Sequence, residues 1–581
     1  MIAPGLLERT QSALCVKKAV RLRRNLESMS KLSRRGFFKA LGGITGSAFL
    51  LSGLSDVANF GARDALAQTG LPICEDSIAA DLARAEAAYQ IREEAAHINL
   101  VSEDTPHFCN GDERLYQNGE GSFGKALPHN ELGEPRPLAY YALLNALQTG
   151  RPEDFAAIPV EGELKLANPQ AAFAFELEGP DSHRLSMKAA PAFTDPETAG
   201  EMVECYWHAH LRDVHFDDYE GHLLVSAAAE DLSVLSVFNG PKEGEHFNDQ
   251  RVTPRTLFRG NTPGDLVGPY ISQFLLQPVP HGAFPMAQLM RTTLPNDDFM
   301  TDYDEWLDVQ QGIVTRENAY DETLRHIRNG RDLGEYVHQD FPYQAYLNAT
   351  LILNGMEMPY DKANPYAESP NQEGFITFGI SHLCYLVGSV ANRALKTAWF
   401  NKWLVHRRIR PEAMSGRIHH TKTGRKAYLV HNNVLDSHAL EESFRRHGSF
   451  LLPQAYPEGS PTHPSYPAGH ATISGACATM LKAFFDESAE IPGPVRVNAD
   501  GTNLLAYEGP ALTVGGELNK LAANISLGRD FAGVHYRSDG IEGLSLGEEV
   551  AIHVLRELML TYNEQFEGFS FTRFNGERIT I

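Results

Sequence analysis

Helical periodicity on a large scale limits this fold more than any other feature. Apolar residues recur at helical spacing through Gly334–Gly355, Gly374–Arg410, His470–Asp486, Gly516–Leu527 and Asp539–Asn563. Ser77–Asn99, Pro137–Thr149 and Ala199–Leu211 carry weaker versions of the same pattern. Proline and glycine clusters separate them, at Asn239–Gly244, Gln277–Pro285, Pro359–Pro370 and Pro453–Pro467. Strand signals are few: His222–Ser226, and a C-terminal hairpin turning at Asn575-Gly576. These patterns predict a mainly α protein, a large helical body with helical bundles packed around one core. No apolar run reaches the roughly 18–20 residues that span a bilayer. With 43% apolar and 22% charged residues over 581 positions, disorder is excluded as well.

The charge is uneven. Of 51 Lys+Arg and 74 Asp+Glu, residues 1–67 hold 11 and 4, so the remainder holds 40 and 70, a charge of −30. A body this acidic repels nucleic acid and anionic lipid. An anion can bind it only in a local basic pocket. Residues 1–67 resemble a twin-arginine export signal. Arg34 and Arg35 precede the apolar stretch Leu41–Leu54, and Ala65-Leu66-Ala67 supplies a small-residue cleavage pattern. Met29 is a possible true start. On this reading residues 68–581 form one body, exported folded to the periplasm or beyond. Cys74, Cys109, Cys205, Cys384 and Cys477 contain no CxxC pair and make no disulfide framework. Cys384 and Cys477 lie in apolar runs as buried thiols, and a bridge from Cys74 or Cys109 stays open.

Three segments within about residues 399–540 share an unusual chemistry. In KWLVHRRIRP, Lys402 and Arg410 are eight residues apart. On one helix they lie about 80° apart around the axis and about 12 Å along it. They converge only if the helix ends near Pro411, since the residue before proline leaves helical geometry. Read alone, such a run is more often a solvated face. In HPSYPAGHATISG, Ala468-Gly469-His470 opens an apolar helix whose free N–H groups favour an anion. Gly469 allows close approach and His470 can exchange a proton there. In GRDFAGVHYRSDG, Arg529 adds a third cation, His535 offers a ring nitrogen as ligand or nucleophile, and Asp539 stacks one turn on to anchor it. The whole set suits a tetrahedral oxyanion.

In order and spacing the three segments resemble the signature shared by vanadium-dependent haloperoxidases and acid phosphatases. The Lys402–Arg410 step and His463 resemble the algal and cyanobacterial bromoperoxidase branch, as do LPHNELGE (127–134), YVHQDFPYQAYLNA (336–349) and DFAGVHYRSDGIEGLSLGEE (530–549). The resemblance implies vanadate as cofactor, with His535 as its axial ligand. Lys402, Arg410, Arg529 and the Gly469 amide would hold its oxygens. His470 would be the acid–base group, Lys402 would activate the peroxide, and His463 and Trp399 would lie on the halide side. It also implies hydrogen peroxide, bromide and iodide, and a small organic acceptor as substrates, and a homo-oligomer of two or more subunits.

Position 468 is Ala and position 528 is Gly where the signature has Ser. His463 is expected to titrate near neutral pH. Asp340 is expected to orient one of the site arginines. His419-His420 reads as part of a polar loop, and His208, His210 and His215 carry too little partner sequence for a metal site. Two rivals remain: a secreted acid phosphatase with His535 as nucleophile, and an exported anion-binding protein without catalysis.

Overall fold

The computed structural model describes residues 82–101, 105–116, 118–246 and 249–581. Residues 89–581 cluster as one compact unit. The export-signal motif and Cys74 lie outside the described residues.

Thirteen longer helices can be followed in order: α1 (Leu82–Val101), α2 (Pro137–Thr149), α3 (Pro196–Leu211), α4 (Leu223–Ser233), α5 (Tyr303–Gln310), α6 (Gly330–Gln339), α7 (Gln344–Gly355), α8 (Ile380–Phe400), α9 (Pro411–Thr423), α10 (His438–His447), α11 (Gly469–Phe484), α12 (Val514–Phe531) and α13 (Arg537–Met559). Three antiparallel two-stranded ribbons complete the described part: β1 (Val279–His281) with β2 (Phe284–Met286), β3 (Val495–Val497) with β4 (Leu504–Ala506), and β5 (Ser570–Thr572) with β6 (Arg578–Thr580). The last is the expected C-terminal hairpin, and the mainly α architecture is as expected.

Four readings of the sequence are corrected. His222–Ser226 is not a strand: His222 precedes α4, whose Val225, Ala228, Ala229 and Leu232 share one buried face. The run Gly334–Gly355 is two helices, because Asp340 turns extended (ψ 147°) before Pro342. His419 and His420 lie on α9, with His420 buried against Tyr303 and the Leu132 carbonyl. The run Gly374–Arg410 also breaks early. After α8 comes a π-helical turn, Asn401–His406, and then Arg407 in the left-handed region (φ 43°). Glu113 pairs with that arginine through two contacts of 2.5 and 2.6 Å, which offsets the backbone strain.

The centre of the body is α11, flanked by α13, α8 and α12. Glycine makes the α11–α13 pair close. A methyl group on Gly475 would collide with the Leu544 carbonyl, and one on Gly547 with the Thr472 carbonyl. That contact fixes the start of α11 beside the start of α13, and the third segment of the anion site ends on α13.

Candidate active site

His535 sits in the short turn between α12 and α13, buried. Its Nδ1 lies 2.8 Å from Asp539 Oδ2. That carboxylate also accepts from the Tyr536 amide (3.1 Å) and from the Ser465 hydroxyl, while its Oδ1 takes Arg408 at 2.8 Å. Burial alone would raise the Asp539 carboxyl, but the Arg408 guanidinium and the His535 contact hold it well below the usual carboxylate range. Asp539 is therefore an anion, and the proton of His535 belongs on Nδ1. Nε2 is left with its lone pair, 2.9 Å from Arg410 Nη1. Burial and Arg410 both push the imidazole well below its ordinary pKa, so it is neutral.

The cations converge as the spacing suggested, by a different route. Lys402 lies in the π turn and Arg410 is the N-cap of α9, beyond the left-handed Arg407. The helical-wheel angle between them has no meaning across that break. Lys402 Nζ donates to the Pro464 and Ser465 carbonyls, both at 2.8 Å. Arg410 spreads over the His463 carbonyl (3.0 Å), the Val534 carbonyl (2.7 Å) and His463 Nδ1 (3.0 Å). Arg529 donates from Nη1 to the Val337 carbonyl at 2.8 Å, and its buried Nε has no protein partner. Burial pushes Lys402 down, and Arg410 to about 9, with Arg529 adding to both effects. Three buried guanidinium and ammonium groups with an orphaned N–H are what a bound oxyanion would satisfy.

The start of α11 closes the site. The amides of Gly469, His470 and Ala471 precede the first intrahelical bond, from the Thr472 amide to the Ala468 carbonyl. A methyl group on Gly469 would touch Leu395 and Trp399 at 3.4 Å. Ala468 is the N-cap and gives no side-chain hydrogen bond. The Gly528 departure has a packing reason. A Cβ there would meet Val337 Cγ2 at 3.0 Å and the Leu333 carbonyl at 3.2 Å, so glycine lets α12 approach α6 and brings Arg529 to Val337.

Two expectations about side chains change. Asp340 pairs with His470, Oδ1 to Nε2 at 2.9 Å, and not with an arginine. His463 does not titrate near neutrality: burial, then Lys402 and Arg410, hold it well below 6.5. Trp399 packs its ring centre 4.7 Å from that of His463, and its indole N–H is taken by the Ala167 carbonyl at 3.1 Å. His208 stacks on Phe258, while His210 bonds the Ala439 carbonyl. Cys205 is buried with its thiol on the His535 carbonyl, Cys109 is exposed and Cys477 is buried, and these three and Cys384 are unbridged. Cys384 is only partly buried.

Sequence reading missed Arg408, although it is adjacent to the Arg407–Arg410 cluster. Glu201 and Asp539 flank it at 2.7 and 2.8 Å. Its neighbours come from α3 and α13, both more than a hundred residues away, so spacing carries no trace of it.

Residues 382–564 match the VCPO second helical-bundle domain. The chain is 37% identical over 592 aligned residues to a vanadium-dependent bromoperoxidase of Corallina pilulifera, covering 86% of this chain and 98% of that one. It therefore belongs to the vanadium-dependent bromoperoxidase family. A second family member, from Ascophyllum nodosum, is 36% identical over 80% of this chain and 87% of its own. Among solved structures, the homohexameric second vanadate-dependent bromoperoxidase of Ascophyllum nodosum superposes with a TM-score of 0.81 at 29% identity, covering 87% of this chain and 92% of that one.

Proposed function

We propose that this protein is a vanadate-dependent haloperoxidase. It oxidises bromide and iodide with hydrogen peroxide to a hypohalous acid equivalent, which then halogenates small electron-rich organics. The observation that carries the reading is the Nε2 lone pair of neutral His535, fixed by Asp539 on Nδ1, which accepts from Arg410 Nη1 at 2.9 Å and lies in the site that also holds Lys402 and Arg529. His535 Nε2 would ligate the vanadium, and Lys402, Arg410 and Arg529 with the Gly469 amide would hold the vanadate oxygens. Bound vanadium(V) supplies Lewis-acid polarisation of an oxygen without a change of oxidation state.

The chain's own residues do the rest. His470 keeps Nε2 on the Asp340 carboxylate, which leaves Nδ1 to take a proton from peroxide. Turnover consumes one proton: HOOH, halide and H⁺ give HOX and water, so the same imidazole can return it. Lys402, held by two carbonyls, has a third N–H that would donate to a peroxide oxygen. Trp399 and His463 form the halide side. The organic acceptor reacts with the released oxidant.

An acid phosphatase would use the same lone pair as a nucleophile toward phosphorus, and that shared feature is its support. The deciding experiment compares bromination of monochlorodimedone with hydrolysis of p-nitrophenyl phosphate, with and without vanadate. Vanadate-dependent bromination that His535→Ala abolishes is expected. Vanadate-inhibited phosphate hydrolysis without bromination would overturn the haloperoxidase reading. Phosphate is expected to slow vanadate reconstitution in proportion to its concentration, because both are tetrahedral oxyanions.

Export by the twin-arginine route is part of the proposal, supported by the Arg34-Arg35 motif and the Ala67 cleavage pattern. So is assembly into a homo-oligomer, supported by the homohexameric relative.

A further inference from the structure

Arg529 is a site cation with a buried N–H that has no protein partner, and what aims it lies outside the motifs. Its Nη1 donates to the Val337 carbonyl and lies 3.4 Å from the Tyr456 hydroxyl, and its guanidinium carbon is 5.4 Å from the Tyr456 ring centre. Tyr456 is itself buried and tied. Its hydroxyl donates to the Gly334 carbonyl at 2.5 Å, which leaves the oxygen to accept from Arg529. The ring stacks on the His338 imidazole at 3.9 Å and 8°. His338 is in turn clamped, with Nε2 2.6 Å from Glu458 and Nδ1 3.3 Å from Glu335. Glu458 is anchored too, since its backbone carbonyl accepts from the buried Lys125 at 2.5 Å. The C-terminal part of α6, from Gly334 on, thus supplies the Gly334 and Val337 carbonyls and His338, and all three bear on one tyrosine–arginine contact.

We propose that Tyr456, backed by His338, is a positioning residue that sets the direction of Arg529 toward the bound oxyanion. A free arginine side chain has many rotamers, and a fork pre-aimed by fixed acceptors loses less freedom when it binds. With Nη1 held by Val337 and Tyr456, the partnerless Nε–H and the Nη2 group are the donors left for the anion. Neither Tyr456 nor His338 is placed against the oxyanion. The proposal rests on Arg529 being an oxyanion donor, and its test separates the two claims.

The test measures equilibrium binding of inorganic phosphate and of vanadate to apo full-length protein, by calorimetry and dialysis. Variants are Tyr456→Phe, which keeps the ring but not the hydroxyl, Arg529→Gln, and the double variant. Arg529→Gln is expected to weaken binding about thirty-fold or more, as loss of a charged partner does. Tyr456→Phe is expected to weaken it about five-fold, the scale of one hydrogen bond. The double variant should bind no worse than Arg529→Gln alone, because the tyrosine acts only through the arginine. Wild-type affinity in Tyr456→Phe beside weakened Arg529→Gln overturns the proposal alone, and so does a fully additive double variant. Unchanged affinity in Arg529→Gln overturns the role of Arg529 and the proposal with it. A merely structural tyrosine would lower the melting temperature and leave both affinities unmoved, and that pattern also refutes it. If Tyr456→Phe does not fold, His338→Gln in the same cycle carries the test, with about two- to three-fold weakening expected only when Arg529 is present.

Discussion

Replacing Asp539 with Asn tests the electrostatic logic of the site at its root. The carboxylate takes four donors: His535 Nδ1, the Ser465 hydroxyl and the Tyr536 amide on Oδ2, and Arg408 on Oδ1. An amide of the same shape has one oxygen and one NH2. With the oxygen toward His535, the NH2 faces the Arg408 guanidinium. With the oxygen toward Arg408, the NH2 faces His535 and the Tyr536 N–H. Either way buried donors oppose each other, and His535 can relieve one clash only by moving its proton to Nε2. That removes the lone pair on which the ligand role depends. Arg408 keeps Glu201 at 2.7 Å, so the loss is less than that of an isolated charge. Breaking one partner of a buried pair costs about 3–5 kcal/mol, and we expect the lower end in stability. Vanadate affinity should fall about 10–100-fold, as it does when the hydrogen-bond partner of a metal-bound His is lost. Dialysis against vanadate gives the affinity, and thermal unfolding by circular dichroism gives the stability. The sign with pH is also fixed. The Asp539 carboxyl is held below its unfolded value, so its contribution is present above about pH 4 and is lost as pH falls toward the folded value. The stability gap between wild type and variant should therefore close on acidification. Wild-type vanadate affinity in Asp539→Asn, with unchanged imidazole ¹⁵N shifts, would refute the tautomer argument.

The remaining expectations are more local. His463→Phe should raise chlorination relative to bromination, because Arg410 loses its Nδ1 acceptor and the ring excludes water; since His463 stays neutral, the change in ratio should be the same at pH 5 and pH 7, and an unchanged ratio in halide competition assays refutes it. Gly528→Ser should destabilise the protein by about 1–3 kcal/mol, because its Cβ would press on Val337 and the Leu333 carbonyl, and a variant of unchanged melting temperature would show that α6 gives way freely. His338, clamped by two glutamates, is raised to about 9 against burial, so it stabilises the fold fully below about pH 6.5 and loses that contribution as pH rises through 9. His338→Gln should accordingly cost about 3 kcal/mol at pH 6 and far less at pH 10 in denaturant titrations, and a pH-independent cost refutes a charged His338.

Chemistry that is local in the chain was legible in the sequence. His535 and Asp539 are one turn apart, so their pairing follows from spacing alone, and it is present at 2.8 Å. Gly469-His470 opens a helix for the same reason: a proline-rich stretch precedes a long apolar period. The helices α2, α11, α12 and α13 fell within a few residues of their expected bounds. Their apolar faces are continuous and their ends carry proline, glycine or a capping residue. The mainly α fold and the family followed from these same residues.

Contacts across sequence were decided by tertiary structure. The π turn and left-handed Arg407 that bring Lys402 and Arg410 together depend on Glu113, nearly three hundred residues earlier. Asp340 faces His470, not an arginine, because α6 ends one residue before it and the chain turns extended there. Arg408 and Tyr456 carry no motif, since their partners come from α3 and α6. His463 looked titratable because an isolated imidazole is, and only burial beside two cations holds it neutral. A sequence sets which groups are present and how far apart they lie along one helix. The fold sets which charges share a low-dielectric space, and in such a site that sharing fixes the protonation states on which the chemistry depends.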